Sequence, residues 1–380
     1  MILPGETLGV LGGGQLGRMF AIRAREMGYR VVVLDPDPRS PAGAVADHQI
    51  EAAYDDPAAL DELAERASAV TVEFENVPAG ALERVAARRP TRPSAAAVAA
   101  AQDRIREKSF LRGRGFATAP FATVGSREDL DPAFAAVGAP ALLKTSRLGY
   151  DGKGQAPVDS AADLRAAYDR LGRVPCVLER RLSLELELSV VLARGEDGAV
   201  RAFPPGENRH RFGILDTTVV PARIPAALAR EACDLAAAVA VALEYVGVLG
   251  VELFLAGGRL YVNEIAPRPH NTGHYTLDAC ITDQFEQQVR TLCALPLGDP
   301  GLLSPVCMIN LLGEAWAQGP PRWDAALALP GVKLHLYGKV EPRPGRKMGH
   351  LNCLAPTAEA AFALARRARA ALAPHLEEGD

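Results

Sequence analysis

The sequence has no long apolar run. None of its hydrophobic stretches approaches the roughly 20 residues that a helix needs to span a bilayer. The opening residues, MILPGETLGVLGGG, also lack the basic start and the apolar core of a secretory signal. We therefore expect a cytoplasmic protein without a membrane segment.

Closely spaced cysteines are absent as well. The six cysteines lie far apart and include no C-x-x-C pair, which argues against a disulfide framework and against a zinc site. They are Cys176, Cys233, Cys280, Cys293, Cys307 and Cys353. We expect buried free thiols in a reducing compartment.

Positive charge is not in excess, and lysine is scarce. With 42 basic and 46 acidic residues the net charge is −4, so we expect no nucleic-acid partner and no membrane partner. Only six of the 42 basic residues are lysines. Because arginine serves at most basic positions, each lysine is a candidate for a role that needs a compact ammonium group.

The N-terminal part of the chain alternates predicted strands with predicted helices. At 380 residues it should form two or three domains. Strands are predicted at 7–11, 30–35 and 69–75, with helices at about 15–28 and 56–67. This order predicts a parallel sheet, with functional groups after its strands at the glycine turn, at Asp35 and at Glu75-Asn76.

The first turn has the spacing of a dinucleotide-binding fingerprint. Gly12-x-Gly14-x-x-Gly17 follows the first strand, and Asp35 ends the next one. The pattern permits the hypothesis of an NAD-dependent oxidoreductase. Two features weaken it, since the rigid loop Pro36-Asp37-Pro38 follows Asp35 at once and no set of residues suited to hydride transfer appears downstream.

Beyond residue 95 longer helices and further strands are predicted. One helix, capped by Ser94, should run unbroken to about Gly113, and another covers about 225–245. Strands are predicted at 120–124, 140–146, 176–180, 185–194, 306–312 and 332–337, and a closing helix at about 357–372. The C-terminal part therefore reads as a small α+β unit.

One loop suits the phosphates of a nucleotide. KTSRLGYDGKGQ, from Lys144 to Gln155, places a lysine at a strand end before a loop with three glycines. Such a loop can align backbone N–H groups along phosphates, with Lys144 and Lys153 supplying charge. The alternative is a solvated hairpin turn with incidental lysines, and the scarcity of lysine favours the phosphate site.

A predicted hairpin carries two carboxylates, Glu252 and Glu264. Buried carboxylates are costly unless they are paired or bind a metal, and Mg²⁺ bound to nucleotide phosphates takes one or two of them. A two-residue turn at Gly257-Gly258 would pair Glu252 with Asn263, whereas an odd-length loop or one bulge would bring both carboxylates to the same face. We predict the arrangement with both carboxylates on one face; the alternative is that one of the two is an exposed strand residue.

Two loops concentrate polar and basic side chains. NEIAPRPHNTGH carries Arg268, His270, Asn271 and His274, and KVEPRPGRKMGHLN carries Lys339, Arg343, Arg346, Lys347 and His350. Prolines restrict the shape of both loops. We interpret the first as part of a site and the second as a clamp for phosphate or carboxylate, with ordinary surface loops as the alternative.

Together these segments resemble the N5-carboxyaminoimidazole ribonucleotide synthetase family of the ATP-grasp superfamily. The matching motifs are GGGQLGRM (12–19), FENVP (74–78), QDRIREK (102–108), LLKTSRLGYDGKGQ (142–155), ENRHRFGIL (207–215), VGVLGVELF (246–254), NEIAPRPHNTGH (263–274) and RPGRKMGHLN (343–352). The resemblance implies an α/β and α+β fold with a Rossmann-like pre-ATP-grasp domain at 1–95, an ATP-grasp domain of two subdomains at 96–298, and a small C-terminal domain at 299–380 that completes the ribonucleotide site.

The resemblance also implies roles for individual residues. ATP would be bound by Arg104, Lys144, Gly149, Tyr150, Asp151, Gly152, Lys153, Gly154, Gln155, Glu179, Arg180, Arg181, Leu182, Glu187, His210, Asn263 and Glu264. Glu252 and Glu264 would bind Mg²⁺, or Mn²⁺ in its place. The ribonucleotide and bicarbonate would meet Glu75, Tyr150, Asp151, Arg268, His270, Asn271, Lys339 and Arg346, and catalytic roles would fall to Asp151, Arg268, His270 and Lys347.

The reaction implied is a carboxylation in purine biosynthesis. ATP and bicarbonate would form carboxyphosphate. Carboxyphosphate, or CO₂ released from it, would carboxylate the exocyclic amine of 5-aminoimidazole ribonucleotide, and the family implies a homodimer. One alternative is a sibling ATP-grasp ligase, such as a formate-dependent glycinamide ribonucleotide transformylase, and ENRH and RPGRKMGH argue against it. The other is a non-catalytic nucleotide-binding subunit, against which the carboxylate pair argues.

Overall fold

The computed structural model describes residues 1–149 and 152–376, and the strands of this part form three sheets. The first unit contains β1 (Thr7–Leu11), α1 (Gln15–Glu26), β2 (Arg30–Leu34), β3 (His48–Ile50), α2 (Pro57–Arg66), β4 (Ala69–Val72) and α3 (Ala79–Ala86). Its strands pair in the order β3-β2-β1-β4 and all run parallel. The predicted parallel sheet is confirmed, and its apolar strands are buried because helices cover both faces.

The unbroken helix predicted after Ser94 is wrong. The chain forms two helices instead, α4 (Ala95–Ala101) and α5 (Arg104–Gly113). Asp103 is the reason, since its carboxylate accepts hydrogen bonds from the first backbone N–H groups of α5, with Ile105 at 2.9 Å. At the same break the Gln102 amide donates to the Glu75 carbonyl at 2.5 Å, which ties the break to the loop after β4.

The second sheet lies beyond α5. Its unit contains β5 (Phe121–Val124), α6 (Leu130–Val137), β6 (Ala141–Thr145), β7 (Gln155–Val158), α7 (Ala161–Arg170) and β8 (Cys176–Arg180). The strands are antiparallel in the order β5-β8-β6-β7. One face packs its apolar residues on α6 and α7. Because side chains alternate along a strand, Lys144 of β6 and Glu179 of β8 share the opposite face.

The third sheet has nine strands. The remaining elements are β9 (Leu186–Arg194), β10 (Val200–Ala202), β11 (Gly206–Arg211), β12 (Ile214–Val220), α8 (Ala226–Ala242), β13 (Gly247–Ala256), β14 (Arg259–Ala266), α9 (Thr276–Ala279), α10 (Gln284–Leu292), β15 (Val306–Leu312), α11 (Trp323–Leu327), β16 (Val332–Leu336), β17 (Lys347–Leu354) and α12 (Ala358–Leu372). The order is β14-β13-β9-β11-β12-β15-β17-β16, with β10 beside β9. The pairing of β12 with β15 carries the sheet across residue 298, and the three predicted domain ranges stay predictions.

Two predictions from composition concern the whole fold. All six cysteines are free, and five are buried, whereas Cys233 is only partly buried. Within residues 1–149 and 152–376, no helix combines the length and the apolar character that crossing a membrane requires.

Candidate active site

A cavity of about 870 Å³ is lined by residues of both antiparallel sheets and by the loops that follow β1 and β4. Every predicted site residue in the described part of the chain lines it except Gly154, whose carbonyl accepts a hydrogen bond from the Thr145 N–H at 2.8 Å. Tyr150 and Asp151 lie outside the described residues. The fold thus collects residues from position 75 to position 347 around one space, while their individual roles stay predictions.

The two carboxylates of the β13–β14 hairpin lie directly opposite each other. Gly257 and Gly258 form its two-residue turn, with φ of 58° and 70°. A shift of register between Glu252 and Leu253 then pairs Glu252 with Glu264. The predicted placement of both side chains on one face of the sheet is confirmed, and a bulge rather than an odd-length loop produces it.

Their electrostatic environments differ. Burial and the neighbouring charge of Glu264 raise the pKa of Glu252 to about 7. Burial also acts to raise the pKa of Glu264, but the Arg104 guanidinium, whose Nη1 is 2.9 Å from Glu264 Oε2, outweighs it and lowers that pKa to about 2. Asn263 Nδ2 donates to Glu252 Oε2 at 3.3 Å. Two carboxylates this close repel each other, which together with burial raises the pKa of Glu252, and a bound cation would relieve that repulsion.

Two lysines surround one carboxylate on the other side of the cavity. Lys144 Nζ lies 3.1 Å and Lys108 Nζ 3.4 Å from Glu179 Oε2, and all three side chains are buried. Burial opposes ionisation of Glu179, yet the two ammonium groups hold its pKa below the ordinary value. Burial lowers the pKa of Lys144, and the charge of Glu179 opposes that shift. Lys108 was not predicted as a site residue, although its position four residues after Arg104 on the same helix face was a usable signal.

A glutamate and a histidine lie side by side on β9 and β11. His210 Nδ1 forms an ion pair with Glu187, and both residues line the cavity. Burial lowers the pKa of His210, but the contact with Glu187 and the charge of Glu252 hold it above its ordinary value. Glu185 instead accepts a hydrogen bond from the Gly258 N–H at 2.8 Å and does not line the cavity. Of the two neighbouring glutamates, only Glu187 faces the cavity.

The loop after β14 adds a buried cation and a neutral histidine. Arg268 Nε is 2.5 Å from Glu75 Oε2; burial alone would lower the pKa of Arg268, but this contact raises it, so the guanidinium stays charged. Burial and the charge of Arg268 lower the pKa of His270 to about 3, so this imidazole is neutral near pH 7. Its Nδ1 is 2.9 Å from Thr272 Oγ1, while the Gln284 amide bonds both its backbone N–H and its carbonyl.

The basic loop before β17 meets the glycine turn. Lys339 Nζ donates to Gln15 Oε1 at 2.5 Å and to the Lys347 carbonyl at 2.8 Å. Arg343 and Arg346 line the same end of the cavity. Four basic side chains therefore gather where the first and last parts of the chain come together, an arrangement suited to a phosphate or a carboxylate.

The glycine turn is occupied by the protein's own carboxylates. The Leu16 N–H donates to Glu73 Oε1 at 3.2 Å, and a methyl group on Gly14 would overlap that oxygen. Asp35 Oδ2 accepts from the Gly13 N–H and from the Tyr54 hydroxyl, each at 2.6 Å. The groups that would hold a dinucleotide pyrophosphate and ribose are thus already engaged, which argues against the NAD hypothesis. Glu73 is not recognisable as a site residue from the sequence, because no local pattern predicts its contact with the Leu16 N–H.

A parallel sheet followed by a nucleotide-sized cavity between two antiparallel sheets defines the ATP-grasp class. Three family models match the chain: the ribonucleotide synthetase preATP-grasp domain at residues 5–102, the ATP-grasp domain at 109–285, and the phosphoribosylaminoimidazole carboxylase C-terminal domain at 306–363. The chain belongs to the N5-carboxyaminoimidazole ribonucleotide synthase family, a family of ATP-dependent ligases.

Individual relatives are similar over nearly their full length. The N5-carboxyaminoimidazole ribonucleotide synthase of Brucella melitensis is 45% identical over 93% of this chain and 97% of its own. A solved N5-carboxyaminoimidazole ribonucleotide synthetase in complex with ADP is 43% identical, with a TM-score of 0.92 over 97% of each chain. The Aspergillus clavatus enzyme in complex with ADP and 5-aminoimidazole ribonucleotide is 31% identical, with a TM-score of 0.88 over 96% of this chain and 97% of its own.

Proposed function

We propose that this protein uses ATP and bicarbonate to carboxylate the exocyclic amine of 5-aminoimidazole ribonucleotide. Bicarbonate is phosphorylated by ATP to carboxyphosphate, with release of ADP. Carboxyphosphate, or CO₂ released from it, then reacts with the amine to give N5-carboxyaminoimidazole ribonucleotide and phosphate. Family membership supports this reaction, since relatives bear the name of this synthase and the Aspergillus clavatus enzyme binds ADP and 5-aminoimidazole ribonucleotide.

The observation that carries the proposal is the continuity of the cavity. At one end Lys144, Glu187 and His210 offer charges suited to a nucleoside polyphosphate, and at the other end Arg268 and Lys339 offer cations for a second anion. The Glu252–Glu264 pair also lines this cavity. Anionic substrates bound at the two ends can therefore meet in one continuous cavity, which suits transfer of a phosphoryl group.

Mg²⁺ fits the carboxylate pair. Within residues 1–149 and 152–376 no cluster of three or more His, Cys, Asp or Glu side chains forms a complete metal site. Glu252 and Glu264 lie opposite each other, and the charge of Glu264 adds to burial in raising the pKa of Glu252. Such a site suits a cation that takes its other ligands from nucleotide phosphates and water. When bound, Mg²⁺ or Mn²⁺ would neutralise charge on the transferring phosphoryl group.

The predicted catalytic residues are proposed to have different chemical roles. Arg268 presents a charged planar guanidinium, which matches the oxygens of bicarbonate and of carboxyphosphate. His270 is neutral and acts as a hydrogen-bond partner rather than as a source of charge. Lys347 supplies an ammonium group near Lys339 at the ribonucleotide end. Asp151 is proposed to accept the proton of the amine as carboxylation proceeds.

We extend the proposal to location and assembly. Six free thiols suit a reducing compartment such as the cytoplasm. A homodimer is the assembly that we expect. Light scattering coupled to gel filtration would test it, since a mass near the 40.3 kDa of one chain would contradict the dimer.

The test of the reaction is ADP release with matched omissions of each substrate. We expect release from Mg·ATP to require both bicarbonate and 5-aminoimidazole ribonucleotide. Glu264→Gln should reduce turnover by about 100-fold or more, because a neutral amide cannot neutralise the bound cation. Glu185→Gln is the matched control, since that glutamate lies on the same sheet outside the cavity.

The same assay tests which substrate the enzyme acts on. Release that ignores 5-aminoimidazole ribonucleotide but responds to glycinamide ribonucleotide with formate would replace the assigned reaction by that of the sibling ligase. ADP binding without turnover under every substrate combination would favour a nucleotide-binding subunit instead.

A further inference from the structure

The strand that carries Glu264 lies at the edge of the nine-stranded sheet. β14 pairs with β13 on one side, and no strand of residues 1–149 or 152–376 pairs with its other side. The outward backbone groups of an edge strand need other partners when they are buried. One of them, the Val262 N–H, donates to the Ala117 carbonyl at 2.8 Å. The next outward groups flank Glu264, and side chains of α5 bind them.

Two adjacent residues of α5 provide those partners. Lys108 Nζ donates to the Asn263 carbonyl at 2.6 Å, and Glu107 Oε1 accepts from the Ile265 N–H at 2.6 Å. Both side chains are almost fully buried, at 1% and 2% exposure. The ammonium group of Lys108 and the carboxyl group of Glu107 therefore do what the N–H and the C=O of a neighbouring strand would do on either side of Glu264.

The same helix also contacts the Glu264 side chain. Arg104, one turn before Lys108, places Nη1 2.9 Å from Glu264 Oε2 and Nη2 3.1 Å from the Gly149 carbonyl. Positions 104, 107 and 108 lie on one helix face. Three side chains of α5 thus hold three consecutive residues of β14, two through the backbone and one through the carboxylate.

We propose that Glu107 and Lys108 are positioning residues that aim the Glu264 carboxylate into the cavity. This inference rests on the proposed function in one respect, since it takes Glu264 as a ligand of the metal–nucleotide complex. Neither residue need touch a substrate. Their backbone contacts bracket Glu264, so losing either one frees the strand to move at the residue whose placement matters.

Stability alone is a weak explanation for this arrangement. Burying a carboxyl group and an ammonium group costs desolvation, which together with the charge of Glu264 raises the pKa of Glu107 to about 8. Apolar side chains of similar size are often as stable in such a place or more so. Apolar side chains would leave the Ile265 N–H and the Asn263 carbonyl without partners. What the buried polar side chains provide is a defined position of the β14 backbone.

The experiment separates position from charge with two substitutions at one site. Glu107→Gln keeps an acceptor oxygen for the Ile265 N–H, whereas Glu107→Met keeps the volume and removes the acceptor. Lys108→Met removes the other contact and leaves Glu179 with Lys144. Arg106→Met, on the exposed face of the same helix, is the control.

Two readouts that need neither bicarbonate nor ribonucleotide are measured on the full chain. We expect Glu107→Met to speed amide exchange of the peptide covering residues 259–266 and to weaken Mg·ADP binding, each by about tenfold. Lys108→Met should act in the same direction. Glu107→Gln and Arg106→Met should stay within about threefold of the parent protein in both, with similar melting temperatures throughout.

Each outcome either supports or overturns the inference that Glu107 and Lys108 position Glu264. Parent-like exchange and Mg·ADP affinity in a folded Glu107→Met protein would overturn the inference, and so would equal losses in Glu107→Gln and Glu107→Met. If Glu107→Met does not fold, amide exchange of residues 259–266 in Lys108→Met carries the test; its Mg·ADP affinity does not, because Lys108 also pairs with Glu179. Failure of ribonucleotide-dependent turnover in the parent protein would instead remove the proposed reaction and leave these measurements valid.

Discussion

Two buried histidines should make the C-terminal part of the fold sensitive to acid. His274 and His350 have no exposed surface, and their ring centroids lie 5.0 Å apart. Burial first, and then the charges of neighbouring groups, holds the pKa of each well below its ordinary value. The Gln284 amide lies 2.9 Å from His274 Nδ1, and the Tyr337 hydroxyl lies 2.9 Å from His350 Nδ1. Both imidazoles are therefore neutral in the folded protein.

The sign of the effect follows from where the protons bind. In the unfolded chain each histidine gains a proton as the pH falls through about 6.5, while in the folded chain it does not. The unfolded state then binds more protons, so the free energy of unfolding decreases as the pH is lowered. Between pH 7 and pH 5 the decrease is about 2 kcal/mol for each histidine and about 4 kcal/mol for the two together.

Urea unfolding followed by tryptophan fluorescence measures this decrease. The sequence contains two tryptophans, Trp316 and Trp323, whose rings lie 5.5 Å apart and pack on the core beside β17, the strand that carries His350. Between pH 7 and pH 5, the decrease in the free energy of unfolding should be about 2 kcal/mol smaller for His350→Gln than for the parent protein. His48→Gln, at a partly exposed site in the first unit, should leave the loss unchanged.

Because all other titrating groups are common to the variant and its parent, the difference between the two curves isolates one histidine. Identical pH dependence of the parent and His350→Gln would refute the reasoning, since it would mean that His350 binds a proton in the folded state as easily as in the unfolded chain.

Two further substitutions probe the two ends of the cavity. Lys144→Met should weaken Mg·ADP binding by about 10- to 100-fold in calorimetry, because a charge-assisted hydrogen bond is lost. Lys333→Met, at an exposed position, is the control and should leave the affinity unchanged. Equal Mg·ADP affinities of Lys144→Met and the parent protein would remove Lys144 from the nucleotide site. Gly14→Ala should displace the turn that encloses Glu73 and raise the KM for the ribonucleotide about tenfold at an unchanged KM for ATP. Gly80→Ala, which meets no atom within 4 Å, is its control, and a change in the KM for ATP alone would contradict the prediction.

Much of the architecture was predictable because its causes are local. The runs TLGVL and RVVVL, each followed by a turn and a helical pattern, led to the parallel sheet that the structure contains. The register of the Glu252–Glu264 hairpin was predictable only as a choice between two arrangements. A two-residue turn demanded one pairing and a shared metal site demanded the other, and the bulge reconciles them.

Local patterns failed where a single side chain overrides propensity. The alanine-rich segment after Ser94 has a strong helical tendency, yet the chain breaks at Gln102-Asp103. The Asp103 carboxylate binds the first N–H groups of the second helix, and the Gln102 amide binds carbonyls of the loop after β4. The first contact is encoded within three residues, but the second depends on a segment 25 to 27 residues away.

Strands β1, β2 and β4, the helices α1 and α2 between them, and the motifs that mark the family are predictable from the sequence alone. They follow from spacing over a few residues and from side-chain chemistry that needs no partner. Tertiary contacts, by contrast, place Glu73 in the glycine turn, keep His270 neutral and bring Lys108 to a carbonyl 155 residues away beside Glu264. Burial, pKa and edge-strand partners are not predictable from local patterns, because they depend on which distant segments exclude water from a group.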